Sequence, residues 1–272
     1  MISKLKEKID LMRFFLCGKV PWTAGYCLYK ANIISSVTAS KTLDVSKLPE
    51  GFGYRIDERV IEYPWFFSRL ESTAGNLLDA GSVLNFDFAL SHEKLKNKKI
   101  TIMTLAPEKN CFHHLGVSYV FGDLRETLFK DESFDFIASL STIEHIGLDN
   151  SMLYAKEAVY KESSPELYLK AVKEFKRILK KGGKIYITVP YGKYKNYGWQ
   201  QIFTHTMIEK VREAFEPSSF VETYFQYSPS GWINSNADVA KDCEYFNIHE
   251  EKKCSGDFAA AARAVACLEM AK

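Results

Sequence analysis

The sequence lacks the patterns that mark several specialised classes of protein. Its 272 residues include six cysteines but no C-x-x-C pair, and no histidine cluster accompanies them. We therefore predict no metal site and no disulfide framework, and interpret the cysteines as reduced thiols of a cytoplasmic protein. No stretch approaches the roughly 18 uncharged apolar residues that a transmembrane helix needs. We predict no membrane-spanning segment.

An excess of charge of one sign is also missing. Lys and Arg number 36 against 34 Asp and Glu, which leaves a formal net charge of +2. This balance argues against a partner recognised through phosphate neutralisation, so we expect no nucleic-acid ligand. With 46% hydrophobic residues, the composition is typical of a globular protein, and the length predicts one large domain, alone or with a smaller cap.

The first 18 residues combine lysines with apolar residues at helical spacing. Arg13 interrupts the apolar stretch and no clear cleavage site follows, which favours an amphipathic helix over a signal peptide. Two interpretations stay open. The helix either docks on the domain, or lies at an interface with anionic lipid, so that peripheral membrane contact is not excluded.

Two regions differ in pattern. Residues 1–65 are aromatic-rich and irregular, and we interpret them as a cap or lid. In 66–272, short apolar runs alternate with amphipathic segments, which is typical of βα units on a parallel sheet. The apolar runs are 76–80, 99–105, 118–123, 134–140 and 184–190.

The remaining elements complete an α/β fold. One helix is predicted from a Ser164 cap to a stop at Gly182–Gly183, and another from Thr204 or Thr206 to Phe215. Two further strand-like stretches follow, at 220–227 and 262–270. We predict five parallel strands with helices on both faces, closed by antiparallel C-terminal strand structure.

Ligands of such sheets bind at the carboxyl ends of the strands. The first run ends in Asp79-Ala80-Gly81, a turn without the G-x-G-x-x-G of dinucleotide enzymes. An aspartate here would repel a pyrophosphate and attract a cation, such as the amino group and sulfonium of S-adenosylmethionine. The alternative is that Asp79 caps the following helix, and the residues alone do not decide between the two.

Further motifs follow in order at the other strand ends. Asp123 is placed to accept a hydrogen bond from an adenine amino group, with Leu124 against the ring. FDFIASLSTIEHIG then runs from an apolar strand into a histidine-bearing loop, and LKAVKEFKRILKKGGKIYITVP completes the set. Over about residues 76–190, the chain resembles the class I S-adenosylmethionine-dependent methyltransferases. PWTAGYCLYK, DERVIEYPW, STIEHIG and ARAVACLEM are similar to bacterial methyltransferases associated with surface-polysaccharide and glycan biosynthesis.

This resemblance implies a Rossmann-like methyltransferase domain over 66–272, S-adenosylmethionine as cofactor, and O-methylation of a glycan or related small acceptor. The cofactor residues that it implies are Asp79, Ala80, Gly81, Thr104, Asp123, Leu124, Ser139 and Leu140. Two departures from the family pattern stand out. Val83 and Asn85 replace glycines, and Thr104 stands where an acid normally binds the ribose, unless Glu108 takes that role.

These departures leave a second hypothesis open: a catalytically impaired descendant that keeps the fold as a binding or scaffold module. It predicts that Val83 or Leu84 fills the cofactor cavity. A nicotinamide oxidoreductase is a third, weaker alternative, because the G-x-G-x-x-G motif is missing.

The acceptor side offers His145 as a candidate general base, just past the fourth strand. Glu144 is a candidate to orient it and to contact the acceptor, although adjacent residues do not face each other if 143–147 is helical. A purely structural histidine is the alternative interpretation.

Four other residues are candidates to contact the acceptor. Tyr191 and the candidate catalytic residue His205 are expected to face the same cleft, and Trp22 and Tyr26 to form part of an aromatic lid. Each also has a structural interpretation, as packing, a helix start or a satellite hydrophobic cluster. The long connection at 148–163 is expected to shape the acceptor pocket.

Overall fold

The computed structural model describes residues 2–40, 42–154, 158–251 and 253–272. Within these ranges one eight-stranded sheet has the order β3-β2-β1-β4-β5-β8-β6-β7. The strands are β1 (Gly75–Ala80), β2 (Lys98–Thr104), β3 (Ser118–Phe121), β4 (Phe134–Leu140), β5 (Leu179–Pro190), β6 (Ser219–Ser228), β7 (Gly231–Ser235) and β8 (Ala264–Ala271). Strands β1 to β5 are parallel, while β8 is antiparallel to β5 and β6, and β7 to β6. The predicted fold class is confirmed.

The helices lie on both sides of this sheet. They are α1 (Ile2–Leu16), α2 (Tyr26–Ala39), α3 (Arg59–Arg69), α4 (Asp87–Leu90), α5 (Tyr168–Ile178), α6 (His205–Phe215) and α7 (Ala237–Ala240). Successive strand residues point to opposite faces, so Leu77 and Leu78 enter different hydrophobic clusters. One cluster lies under α3 and the other under α5 and α6. In the described residues, no helix is long and apolar enough to cross a membrane.

The α5 region differs from its prediction at both ends. A short 3-10 helix covers Pro165–Leu167, the Ser164 side chain makes no capping hydrogen bond, and α5 ends at Ile178. The predicted stop at Gly182–Gly183 is wrong, because the chain turns extended at Leu179 and pairs there with Phe134 of β4. Tertiary strand pairing overrides the local stop signal.

The predicted division after residue 65 falls inside α3. Trp65 and Phe66 pack edge-on against Tyr186 of β5, with ring centroids 6.2 and 5.4 Å away. Upstream of α3, the carbonyl of Ile56 accepts a hydrogen bond from the Trp232 indole at 2.9 Å. Packing is therefore continuous across the expected boundary between the cap and the domain.

Candidate active site

A cavity of about 1040 Å³ opens at the carboxyl ends of the parallel strands. This is where the topology predicts a ligand, because β1 lies between β2 and β4 and the strand order reverses there. Its volume matches the upper range of small-molecule pockets, about 300–1,000 Å³. The walls come from the turns after β1, β2, β3 and β4 and from the segment after residue 149.

Asp79 lies beneath the turn after β1 and does not line the cavity. Its Oδ2 accepts a hydrogen bond from the Leu84 N–H at 2.8 Å, and its Oδ1 is buried without a partner among the described residues. Burial raises the pKa of Asp79 to about 7. The Tyr63 hydroxyl of α3 donates to the Val83 carbonyl at 2.6 Å and holds the same turn. This geometry fits the capping interpretation, and direct contact between Asp79 and a ligand stays a prediction.

Gly81 does line the cavity, whereas Ala80 is buried inside the strand. The backbone φ of Gly81 is +117°, and a Cβ here would lie 2.1 Å from the Thr142 Oγ1. Only glycine lets this turn approach the loop after β4 so closely. The single glycine of the motif therefore has a strict steric role.

Glu108 brings a carboxylate to the cavity wall next to Thr104. It accepts hydrogen bonds from the Ser82 hydroxyl, from the Asn85 amide at 3.1 Å and from the Thr104 hydroxyl at 3.3 Å. The Tyr154 hydroxyl lies 3.1 Å from the same Thr104 oxygen. The end of β2 carries Thr104 in place of an acid, and Glu108, four residues later, brings a carboxylate to the same place. Tyr154, from the long connection after β4, lies over this side of the cavity.

Asp123 and Leu124 line the cavity as predicted, but Asp123 is already engaged. The Arg125 Nε lies 2.9 Å from both Asp123 oxygens, while its Nη1 and Nη2 donate to Glu162 at 2.6 and 2.8 Å. Although burial opposes ionisation, the hydrogen bonds from Arg125 lower the pKa of Asp123. Arg125 is a cavity residue that the sequence analysis missed.

Ser139 and Leu140 are buried in β4 and do not reach the cavity. The chain emerges two residues later, where Ser141 and Thr142 form the wall. The backbone φ of Ser141 is +41°, which turns the chain out of the sheet at this point. Contact of Ser139 and Leu140 with the cofactor stays a prediction, and Ser141 and Thr142 are the residues of this strand end that line the cavity.

His145 lies in the cavity wall, in a short 3-10 helix spanning Ile143–His145. Its Nδ1 is 2.9 Å from the Trp199 carbonyl oxygen, so Nδ1 carries the proton and Nε2 is left as an acceptor. Burial lowers the pKa of His145 to about 4, which keeps the ring neutral near pH 7.

Glu144, the candidate to orient His145, does not pair with it, as expected for adjacent residues of a helical segment. The Glu144 Oε1 lies 3.9 Å from the His145 Nε2, beyond hydrogen-bond distance, and Glu144 does not line the cavity. Burial raises the pKa of Glu144 well above its usual value. The carbonyl of Trp199, from a loop 54 residues away, orients the imidazole instead.

The comparisons with known proteins bear on this arrangement. Residues 97–187, which run from before β2 into β5, match a family model described as a methyltransferase domain. The matched region, about a third of the chain, is similar to a methyltransferase domain. The predicted enzyme class and the predicted cofactor, S-adenosylmethionine, are confirmed at the level of this domain.

No curated protein matches the chain. Solved structures similar to it include an N1-methyltransferase of 1,6-didemethyltoxoflavin from Burkholderia thailandensis, at 12% identity over 99% of this chain and 89% of that chain, with a TM-score of 0.46. A SAM-dependent methyltransferase from Thermotoga maritima is 18% identical over 74% of this chain and 83% of that chain, with a TM-score of 0.41.

The cavity receives a further cation from α3, in the region interpreted as a cap. Arg59 lines the cavity, and its Nη1 donates to Glu62 at 2.8 Å and to the Leu140 carbonyl at 3.3 Å. Glu62 is fully buried and also accepts hydrogen bonds from the hydroxyls of Ser141 and Thr188. This network fixes α3 to the ends of β4 and β5 and sets a guanidinium at the cavity edge.

Four predicted acceptor contacts lie outside the cavity of the methyltransferase domain. The Tyr191 hydroxyl donates to the Ala237 carbonyl at 3.1 Å, and His205 is exposed at the start of α6. The Trp22 indole donates to the Ala260 carbonyl at 2.6 Å, and Tyr26 is fully buried. These positions fit the structural interpretation of all four residues, and their contact with an acceptor stays a prediction.

The residues of the cavity fit S-adenosylmethionine. Two carboxylates, Glu108 and Asp123, stand in the wall as acceptors for hydroxyl and amino donors, and Leu124 supplies an apolar surface beside them. The cavity space beside these residues is not filled by side chains of the described part of the protein. Val83 is part of the wall, and Leu84 is fully buried outside the lining. The cavity is therefore not filled in the way that the scaffold hypothesis predicts.

Proposed function

We propose that this protein transfers the methyl group of S-adenosylmethionine to a hydroxyl oxygen of a small polar acceptor of the glycan class, in the cytoplasm. The observation that carries the proposal is that the Glu108 carboxylate and an unprotonated imidazole nitrogen of His145 line one cavity. The resemblance of four short stretches to glycan-biosynthesis methyltransferases supports the acceptor class. The His145 Nε2 can accept a hydrogen bond from a hydroxyl group, which favours oxygen as the methylated atom.

The bound cofactor supplies an electrophilic methyl group on a sulfonium. In the proposal, Glu108 accepts hydrogen bonds from the ribose hydroxyls, and Asp123 with Leu124 holds the adenine. The turn at Gly81 bounds the methionine end. Each contact uses a residue that already lines the cavity. Positioning of this kind supplies much of the acceleration of a displacement reaction.

His145 acts on the acceptor. Its Nε2 accepts the hydrogen bond of the acceptor hydroxyl, which directs an oxygen lone pair toward the methyl carbon. The cofactor would supply the methyl group and keep the electron pair of the broken C–S bond on sulfur, and Nε2 would accept the hydroxyl proton as the O–C bond forms. Because burial lowers the pKa of His145 to about 4, the imidazolium then releases this proton readily to water.

Calorimetric titration with S-adenosylhomocysteine tests the cofactor half of the proposal. The folded wild type should bind. Glu108→Gln should weaken binding about tenfold or more, because a charge-assisted hydrogen bond is worth about 1.5–3 kcal/mol. Glu126→Gln is the matched control, since Glu126 is exposed outside the cavity and should bind as the wild type does. No binding at millimolar ligand by a folded sample would refute the proposal.

A methyl-transfer assay with a panel of sugars and nucleotide sugars tests the acceptor half. Radiolabel from the cofactor should appear in a glycan-type acceptor, and base-stable ether linkages would identify oxygen as the methylated atom. Transfer exclusively to amines would contradict the assignment to oxygen while leaving the enzyme class intact.

A further inference from the structure

Helix α1 carries an apolar stripe on the side that faces away from the domain. Leu5, Ile9, Met12 and Leu16 follow one another at intervals of four, three and four residues, so they share one face of the helix. Their exposed fractions are 62%, 42%, 62% and 81%. Four large apolar side chains in a row in water are unusual for a monomeric surface and mark an interaction site.

The opposite side of α1 holds the helix on the protein. Phe14 is buried, with its ring centroid 6.1 Å from that of Tyr26 and 5.1 Å from that of Tyr29. A Cβ on Gly25 would lie 2.4 Å from the Asp10 carbonyl oxygen, so the backbones of α1 and of the start of α2 are in direct contact. This anchoring fixes the rotation of α1 and keeps the stripe pointing outward.

Charges are distributed unequally around the same helix. Exposed cations flank the stripe, with Lys8 along one edge and Lys6 and Arg13 along the other. The acidic residues Glu7 and Asp10 fall on the side of Phe14, away from the stripe. The outward face of α1 is thus apolar along its centre and positive along both edges.

We propose that α1 docks this protein in the plane of an anionic phospholipid surface. The stripe enters the boundary between headgroups and acyl chains, and the flanking cations contact the phosphates. The charge pattern selects this occupant. A second copy would bring two equal sets of cations against each other, whereas anionic headgroups complement them.

Co-sedimentation of the full chain with lipid vesicles tests this proposal. Vesicles of phosphatidylcholine alone are compared with vesicles in which about a third of the lipid is phosphatidylglycerol. The wild type should sediment with the mixed vesicles and much less with the neutral ones. High salt should release it, because screening weakens the contribution of the cations.

Two pairs of variants test the apolar stripe and the flanking cations of α1 independently. Met12→Glu should abolish sedimentation, and Val239→Glu should not, since Val239 is equally exposed at 60% but lies on α7. Lys8→Glu should weaken binding by about fivefold for each unit of charge changed. Lys181→Glu makes the same change at an exposed position far along the chain and should leave binding unchanged.

The proposal is overturned if the wild type stays in solution with both kinds of vesicle, or if Met12→Glu sediments as the wild type does. It is also overturned if the wild type forms a dimer without lipid that Met12→Glu dissociates, because a second copy would then cover the stripe. Binding of S-adenosylhomocysteine by Met12→Glu, measured in parallel, reports on the methyltransferase proposal separately and should be unchanged.

Discussion

Replacing Asp79 by asparagine should change how the free energy of unfolding depends on pH. The carboxyl is fully buried, and the carbonyl oxygen of asparagine preserves the acceptor for the Leu84 N–H. In the folded protein, burial holds the pKa of Asp79 at about 7 instead of the ordinary 3.8. The folded carboxyl therefore stays protonated over a range of pH in which the unfolded chain ionises.

The sign and size of the effect follow from this difference. The stabilisation from the protonated carboxyl is complete below pH 3.8 and is lost as the pH rises to about 7. A shift of about 3 pH units corresponds to about 4 kcal/mol. Relative to the wild type, Asp79→Asn should gain up to about 4 kcal/mol of stability between about pH 4 and pH 8.

Urea unfolding followed by tryptophan fluorescence, at one-unit intervals over this range, measures the difference directly. Asp44→Asn is the control, because Asp44 is exposed and hydrogen bonds from Ser46 lower its pKa. It should give a small dependence of the opposite sign. A stability difference between Asp79→Asn and the wild type that is constant with pH would show that folding does not raise the pKa of Asp79, and would refute the reasoning from its burial.

Three other changes test the site. Gly81→Ala should cost at least about 2 kcal/mol in urea unfolding, because the Cβ meets the neighbouring loop at 2.1 Å. Gly116→Ala, at another positive φ but in open space, should cost only about 1 kcal/mol, and equal costs would contradict the steric argument. His145→Asn should lower kcat about 100-fold with unchanged affinity for S-adenosylhomocysteine. Because the pKa of His145 is about 4, a break in wild-type kcat near pH 6.5 caused by this residue would count against its assignment. Glu62→Ala leaves Arg59 without its buried partner and should cost about 3 kcal/mol on denaturation, whereas a change within error would show that the network contributes little.

The strands could be predicted because parallel strands buried on both faces are near-continuous apolar runs. The run at 134–140 coincides with β4, and the run at 76–80 coincides with β1 except that the strand begins one residue earlier. Strand β7 was missed because only Gly231 and Trp232 of its five residues are buried, so no alternation marks it. The end of α5 was misplaced because pairing with β4, which the local sequence does not encode, begins at Leu179.

The site could be predicted where a residue follows directly from the end of its strand. Gly81, Thr104, Asp123 and His145 all line the cavity for that reason. Arg59 could not be predicted, because it reaches the cavity only through the packing of α3 over strand ends that lie about 80 residues further along the chain.

A position at the end of a strand does not ensure that a side chain faces the cavity, and some of these residues point away from it. Asp79 is the clearest case, because its carboxylate is directed into the turn by the Leu84 N–H. Tyr191 is another, since its hydroxyl is held by the carbonyl of Ala237. Position at a strand end therefore reduces the number of candidate site residues. The direction of each side chain depends on hydrogen-bond partners, which lie either in the same turn or far away in the sequence.

Arg125 forms ion pairs with two carboxylates from different parts of the cavity wall. One guanidinium holds Asp123 after β3 and Glu162 at the far end of the connection after β4. A ligand that donates hydrogen bonds to the Asp123 oxygens would compete with Arg125 for them, and Arg125 also holds Glu162. Because coupling between two contacts is reciprocal, a ligand that weakens the contact between Arg125 and Asp123 would itself bind more tightly, by the same factor, when that contact is absent.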